Sequence, residues 1–272
     1  MVTRRLDVGI ENVTEVYSGP GGILWEMLMG EEIHVGGAGE TDVLARKAGI
    51  TASTTVVDVC SALGGPARHL ARTAGCSVTG LDATPKMHAE AVRRTKDAGL
   101  DGTAAFVLGN ALDMPFRAGS FDVVWGQDAW CYITDKERLV RECARVVRPG
   151  GVVAFTDWLE TGAMSDEVWT AVHAFMAFPY METLEGYARL AEGAGLQVVE
   201  QEDLSPDFAC HVQRYLDALQ ETHRGAIVAG YGQPMYDEVE RGLMLWRDAS
   251  AAGQVGRGRI IARKPGAIRG SC

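Results

Sequence analysis

Short apolar or β-branched runs recur through the middle of the chain, each bounded by Gly, Pro or Asp: 55–60 (TVVDVC), 77–82 (SVTGLD), 103–108 (TAAFVL), 121–126 (FDVVWG) and 151–157 (GVVAFTD). Runs of this length and residue type predict strands. The stretches between them have helical spacing: Pro66 to Ala74, Pro85 to Ala98, and Asp135 to Val147, where Leu139, Val140, Cys143, Val146 and Val147 make one apolar face. Strand alternating with helix predicts an α/β fold built on a parallel, doubly wound sheet. Thr84-Pro85 supplies an N-cap followed by a proline suited to the first helical turn. Arg148-Pro149-Gly150-Gly151 is expected to stop the preceding helix and turn the chain into the next strand.

Two helical segments precede the first strand, Val13 to Gly30 (interrupted by Gly19-Pro20-Gly21-Gly22) and Glu40 to Ala48. Their position predicts an N-terminal lid. Beyond residue 157 the pattern becomes a long helical segment, Ser165 to Ala194, then a strand at QVVEQED. Helices near Asp207 to Glu221 and Pro234 to Ala252 and a last strand, RGRIIARK, complete an antiparallel closing edge with a helical cover inserted before it. The expected organisation is one domain over 1–272, with a lid over 1–50, a ligand-binding core over 51–157, and cover and closing strands over 158–272.

A net charge of -10 repels phosphate backbones and anionic bilayers, which argues against nucleic acid and membrane partners. The six cysteines (Cys60, Cys76, Cys131, Cys143, Cys210, Cys272) form no CxxC pair and no cluster with histidine, so neither a metal site nor a disulfide framework is expected. Buried free thiols in a reducing cytoplasm fit that usage. The first residues carry no apolar run long enough for a signal peptide or a membrane span. A homodimer is compatible with the composition.

Ligands of doubly wound sheets bind beyond the carboxyl ends of the strands, so the loops there carry the chemistry. After the first strand the chain reads Asp58-Val59-Cys60-Ser61-Ala62-Leu63-Gly64-Gly65, small residues that let a ligand approach the backbone. After the second, Leu81-Asp82-Ala83 places a carboxylate that can accept from both hydroxyls of a ribose. The stretch CSALGG lacks the GxGxxG spacing that a pyrophosphate needs, which disfavours a dinucleotide. After the third, Asn110-Ala111 can present an amide and a backbone N–H to adenine, and the fourth strand ends in Gln127-Asp128-Ala129-Trp130.

These four loops, in this order and spacing, resemble the fingerprint of class I S-adenosylmethionine-dependent methyltransferases, in which Cys60 and Ala62 stand at two usual glycine positions and Asn110 at a usual Asp. The flanks (Tyr17-Ser18 through Gly22 to Glu26, then Gly30 through Gly37, and Gly242-Leu243, Trp246, Gly258 and Ala262 to Pro265) resemble the sarcosine/dimethylglycine and phosphoethanolamine N-methyltransferases. The resemblance implies a Rossmann-like, seven-stranded, mostly parallel sheet and S-adenosylmethionine as cofactor. Implied cofactor-binding residues are Asp58, Cys60, Ala62, Gly64, Asp82, Ala83, Asn110, Ala111 and Gln127. Tyr17, His34 and Gly36, in the segment that folds over the cofactor, and Tyr132, standing where such relatives often carry His, become candidates near the acceptor. Tyr132, Tyr17 and His34 are the candidate catalytic groups, able to take a proton from an ammonium acceptor.

Acceptor-binding candidates are Asp128, Trp130, Phe178, Tyr180, Glu182 and Arg214. Phe178, Tyr180 and Glu182 fall in an aromatic stretch with Trp158, Trp169, His173 and Phe175 where a pocket roof is expected. Arg214 stands with His211, His223 and Arg224 in a group that could hold a carboxylate or phosphate. N-methylation of a small amine or amino acid is the first reading. C- or O-methylation of a natural-product or isoprenoid-like precursor is the second, and a non-catalytic S-adenosylmethionine-binding protein is the third.

Overall fold

The computed structural model describes residues 4–266. Three helices, α1 (Ile10–Ser18), α2 (Pro20–Met29) and α3 (Gly37–Ala48), precede the first strand. The strands are β1 (Thr55–Val59), β2 (Ser77–Asp82), β3 (Ala104–Leu108), β4 (Phe121–Gln127), β5 (Val147–Glu160), β6 (Gln197–Asp203) and β7 (Val255–Arg263). They form one sheet in the order β3-β2-β1-β4-β5-β7-β6. β1 to β5 pair in parallel, and β7 runs antiparallel between β5 and β6. The remaining helices are α4 (Gly65–Thr73), α5 (Pro85–Asp97), α6 (Lys136–Val146), α7 (Asp166–Met176), α8 (Leu184–Gly193), α9 (Ser205–Ala218), α10 (Arg224–Tyr231) and α11 (Gln233–Ala251).

The period-2 alternation of buried strands sends neighbouring side chains to opposite faces. Val56 packs with Leu44 of α3 and Leu70 of α4, whereas Val57 and Val59 pack with Leu139, Val140 and Cys143 of α6. A third apolar cluster lies under the helical cover, where Trp158 at the end of β5 meets Phe178, Phe208 and Trp246 edge to face at 4.8–5.7 Å. Each such aromatic pair contributes about 0.5–1.5 kcal/mol beyond the area it buries. β1 and β4 are adjacent, yet β1 leads through α4 to β2 on one side and β4 leads through α6 to β5 on the other. That divergence opens a crevice at their carboxyl ends.

The seven strands lie where the apolar runs predict them, and three local features differ. The segment 165–194 is two helices, because Ala177 adopts a left-handed φ of +55° ahead of Pro179 and Thr183 caps a new helix by accepting from the Gly186 N–H. Arg148-Pro149-Gly150-Gly151 lies within β5, in a bulge where the pairing jumps from Phe121–Val147 to Val123–Val152. Past α9 the chain makes a π-helical turn over Leu219–His223 and then forms α10, which the apolar pattern did not separate. Thr84 sits at the N-cap of α5 without a side-chain cap bond. Of the thiols, Cys76, Cys131 and Cys143 are buried, Cys60 is half-buried and Cys210 is exposed, against the expectation of burial; Cys272 lies outside the described residues. Among the described residues no helix is long and apolar enough to cross a membrane.

Candidate active site

The crevice between β1 and β4 is a cavity of about 250 Å³. Its walls include Asp58, Cys60, Ser61 and Ala62 after β1, Asp82 to Thr84 after β2, Asn110 to Leu112 after β3, and Gln127 to Ala129 after β4. Ile10, Val13 and Tyr17 of α1 and Glu32 and Ile33 after α2 close the other side.

The loop after β1 explains why such sites favour glycine at alternate positions. Cys60, Ala62 and Gly64 have φ values of +66°, +45° and +72°, a region that costs a residue with a Cβ roughly 1–2 kcal/mol. Gly64 also lacks room for a side chain, since a Cβ there would stand 2.5 Å from the Phe106 ring. Asp82 holds the loop in this shape: its Oδ2 accepts from the Ala62 N–H and its Oδ1 from the Thr84 N–H, both at 2.8 Å. We expect Ala62→Gly to raise the unfolding free energy by about 1 kcal/mol in urea denaturation, because the strain disappears. A neutral or destabilising result would mean that the gain is lost to the freer unfolded chain.

Several buried polar atoms of this cavity have no hydrogen-bond partner: Asp58 Oδ2, Ser61 Oγ, Gln127 Nε2 and Glu32 Oε2, the last lying 3.6 Å from His34 Nε2. Burial pushes the Asp58 carboxyl up to about 8, and the negative charges of Asp82 and Glu32 add to the effect. Three acids with unfilled acceptor capacity require cations or hydroxyls to be stable when ionised. The set fits a nucleoside bearing a cationic chain: Asp82 for the ribose, Asp58 and Glu32 for positive charge, and Asn110 for the base. Asn110 Oδ1 already accepts from the Leu112 N–H at 2.8 Å and keeps one lone pair.

Tyr17 and Tyr132 meet over the cavity with their hydroxyls 2.8 Å apart. Burial raises both phenols well above their ordinary range, so each stays protonated. This corrects the expectation that either takes a proton as a base; as neutral hydroxyls they donate and accept hydrogen bonds. Tyr132 stands on a 3₁₀ turn, Trp130–Tyr132, pinned from beneath. The buried Lys136 ammonium donates to the carbonyls of Cys131, Ile133 and Tyr180, and Asp157 accepts from the Cys131 N–H and the Tyr187 hydroxyl. Burial lowers Lys136 to about 8 and raises Asp157 to about 6.

Of the other acceptor-side candidates only Asp128 lines the cavity. His34 is buried off the cavity: its Nδ1 meets the Val35 carbonyl and its Nε2 the Thr41 hydroxyl, which in turn donates to Gln127 Oε1. It holds Gln127 in place and has no path to an acceptor proton. Gly36 is the left-handed N-cap of α3. Asp128 lines the cavity, but its carboxylate accepts from the Val35 N–H and from Arg257, leaving it no free charge for an acceptor. Trp130 is buried against Phe155, Tyr180 lies over the Lys136 ammonium, and Glu182 accepts from the Thr183 N–H; none of the three reaches the cavity. Arg214 is exposed on α9, donating to its own helix at Cys210. His173 is a core staple, donating to the Trp169 carbonyl and accepting from the Met181 N–H. Of the aromatic stretch, Trp158 and Phe178 wall a small void beyond Tyr17 and Tyr132.

Sequence reasoning missed Glu32, Ser61 and Arg257. Ser61 stood in the small-residue loop and could have been named with its neighbours. Glu32 and Arg257 carry no local signal, since their partners lie far away along the chain.

A sheet of this order, with an acid-lined crevice at its switch point, has the architecture of a methyltransferase fold. Residues 57–155 match the family model described as methyltransferase domain. Residues 57–155 thus carry a methyltransferase domain. It is 30% identical to the glycine/sarcosine/dimethylglycine N-methyltransferase of Actinopolyspora halophila over 86% of this chain and 43% of that one. It is 27% identical to the sarcosine/dimethylglycine N-methyltransferase of Halorhodospira halochloris over 97% of this chain and all of that one. A solved structure of a putative sarcosine dimethylglycine methyltransferase from Galdieria sulphuraria superposes with a TM-score of 0.76 at 25% identity, covering 83% of this chain and 85% of that chain. The chain thus spans less than half the length of the Actinopolyspora relative.

Proposed function

We propose that the protein transfers a methyl group from S-adenosylmethionine to the nitrogen of a small amine. The observation that carries the reading is the pairing of an acid-rich, partner-poor cavity with two neutral phenols at its inner wall. The relatives named for amine methylation support it. When bound, S-adenosylmethionine supplies a methyl group on a cationic sulfur, already activated for displacement. The chain's task is then to align and to exclude water. Asp82 holds the sugar, Asp58 and Glu32 face positive charge, and Gln127 Nε2 offers a donor.

The Tyr17 and Tyr132 oxygens accept from the amine N–H and orient its lone pair. The acceptor nitrogen would take the methyl group in place of the sulfur, and its N–H proton would leave to solvent. The one sheet that takes strands from both halves of the chain supports reading the whole as a single domain with α1 to α3 as a lid. A cytoplasmic location and a homodimer complete the proposal.

Incubating the protein with methyl-labelled S-adenosylmethionine and pooled small amines should place the label on nitrogen, as read by mass spectrometry of the products. A label on carbon or oxygen would replace this reading by C- or O-methylation, for which the Trp158 and Phe178 rings would serve as a wall for an apolar acceptor. Saturable cofactor binding without S-adenosylhomocysteine formation would leave only a binding protein.

A further inference from the structure

Lys136 stands where a cation is disfavoured twice: it is fully buried, and it is the first residue of α6, at the positive end of that helix's dipole. Its Nζ nevertheless directs its three N–H donors at three carbonyls, those of Ile133 and Tyr180 at 2.9 Å and that of Cys131 at 3.3 Å. It also lies 3.8 Å from the centre of the Tyr180 ring. Two of the three carbonyls belong to the residues on either side of Tyr132. The third belongs to the segment of Phe178, whose ring meets the Tyr132 ring edge to face at 4.7 Å. One ammonium therefore ties the backbone that carries Tyr132 to the segment that packs behind its ring.

Asp157 completes the hold: its Oδ1 accepts from the Cys131 N–H at 3.1 Å and its Oδ2 from the Tyr187 hydroxyl of α8. The titratable groups around Lys136 are Asp157 on β5, Cys131 on the turn, His173 on α7, Tyr180 and Glu182 between α7 and α8, and Arg5 ahead of α1. Burial keeps the Cys131 thiol and the Tyr180 phenol protonated and His173 neutral at neutral pH. Of the charged groups, Asp157 favours the ammonium most, Glu182 adds to it, and Arg5 opposes it. These do not offset burial, which lowers Lys136 to about 8. A neutral amine has two N–H donors and a lone pair, so loss of the proton leaves one of the three carbonyls facing that lone pair.

We propose that Lys136 is a positioning residue for Tyr132: as an ammonium it fixes the Trp130–Tyr132 turn and the Phe178 segment together, and so sets where the Tyr132 hydroxyl stands in the cavity wall. Its bearing on methyl transfer rests on the reading above, in which Tyr132 meets the acceptor; its hold on the turn does not.

The Tyr132 and Ile133 amides donate within the turn to the carbonyls of Ala129 and Trp130, so hydrogen exchange of a peptide spanning them, followed by mass spectrometry of the full chain, reports the turn's integrity. Corrected for the intrinsic effect of pH, their protection should hold at pH 7 and fall by about tenfold as pH rises through the Lys136 transition, the effect of one hydrogen bond lost. Asp157→Asn removes the charge that most favours the ammonium and should move that fall to lower pH. Lys136→Met should leave protection low throughout and abolish the step. Retained S-adenosylhomocysteine affinity in calorimetry certifies each fold, and Asp157→Asn decides the matter if Lys136→Met does not fold. With the amine that takes the label in the pooled incubation, kcat should decline along the same alkaline limb and shift with Asp157→Asn, whereas a lysine that only stabilises the fold would leave the limb in place. Unchanged protection in Lys136→Met, or an alkaline step that Asp157→Asn does not move, overturns the proposal. Absence of any labelled amine sinks the N-methylation reading alone, and the exchange result still decides whether Lys136 positions Tyr132.

Discussion

Replacing Arg257 with alanine is expected to lower the unfolding free energy by about 3–5 kcal/mol, measured by urea denaturation at neutral pH, because it strands a buried carboxylate. Arg257 Nε donates to Asp128 Oδ1 at 2.8 Å and Oδ2 at 3.0 Å, Nη2 donates to the Thr156 hydroxyl, and Nη1 lies 3.6 Å from Glu40. Both members of the central pair are buried. Burial pushes the Asp128 carboxyl up, and the Arg257 guanidinium outweighs that and holds it below the ordinary carboxylate range. A depressed folded-state pKa contributes stability that is present above the unfolded value and is lost as pH falls through the folded one. The gap between wild type and Arg257→Ala should therefore be widest at neutral pH and narrow in acid, where a protonated Asp128 no longer needs its partner. A gap below about 1 kcal/mol, or one that does not change with pH, would show that Asp128 is not charged in the fold.

The consequence reaches the site. Asp128 also accepts from the Val35 N–H, which ties the Glu32–Ile33 wall of the cavity to the end of β4. Loss of Arg257 should thus loosen ligand binding as well as the fold.

Asp82→Ala should reduce affinity for S-adenosylhomocysteine by about 1–3 kcal/mol in calorimetry, the cost of leaving buried hydrogen-bonding groups without partners. Two effects combine in that figure. The carboxylate lost is the acceptor we assign to the ribose hydroxyls, and the Ala62 and Thr84 amides lose the oxygens that shape the loop. Asp82→Asn keeps one acceptor oxygen and should recover part of the loss. Unchanged affinity in the alanine variant would remove Asp82 from the site.

Much of the cavity's lining was legible because its determinants are local. An apolar run ending in Asp58 or Asp82, followed by small residues, marks a strand whose carboxyl end must turn beside a ligand, and both acids line the cavity. The helical break at Ala177 and the bulge at 148–151 were not legible, because helical spacing continues across the first and the turn residues of the second are equally at home in a bulge. Candidates chosen by proximity to a motif fared by geometry: Asp128 and Tyr132 reach the cavity, while Trp130, between them, packs away from it.

The sequence by itself determined the strand succession, the sheet's mostly parallel character and the acids of the cavity loops, since periodicity and turn chemistry act over a few residues. Only the tertiary structure decided which charges are spent and which are free. Arg257 neutralises Asp128 across 129 residues of chain, Tyr17 finds Tyr132 across 115, and His34 turns inward to Thr41. Pairing energy depends on distance and burial in space, and neither is encoded at any one position.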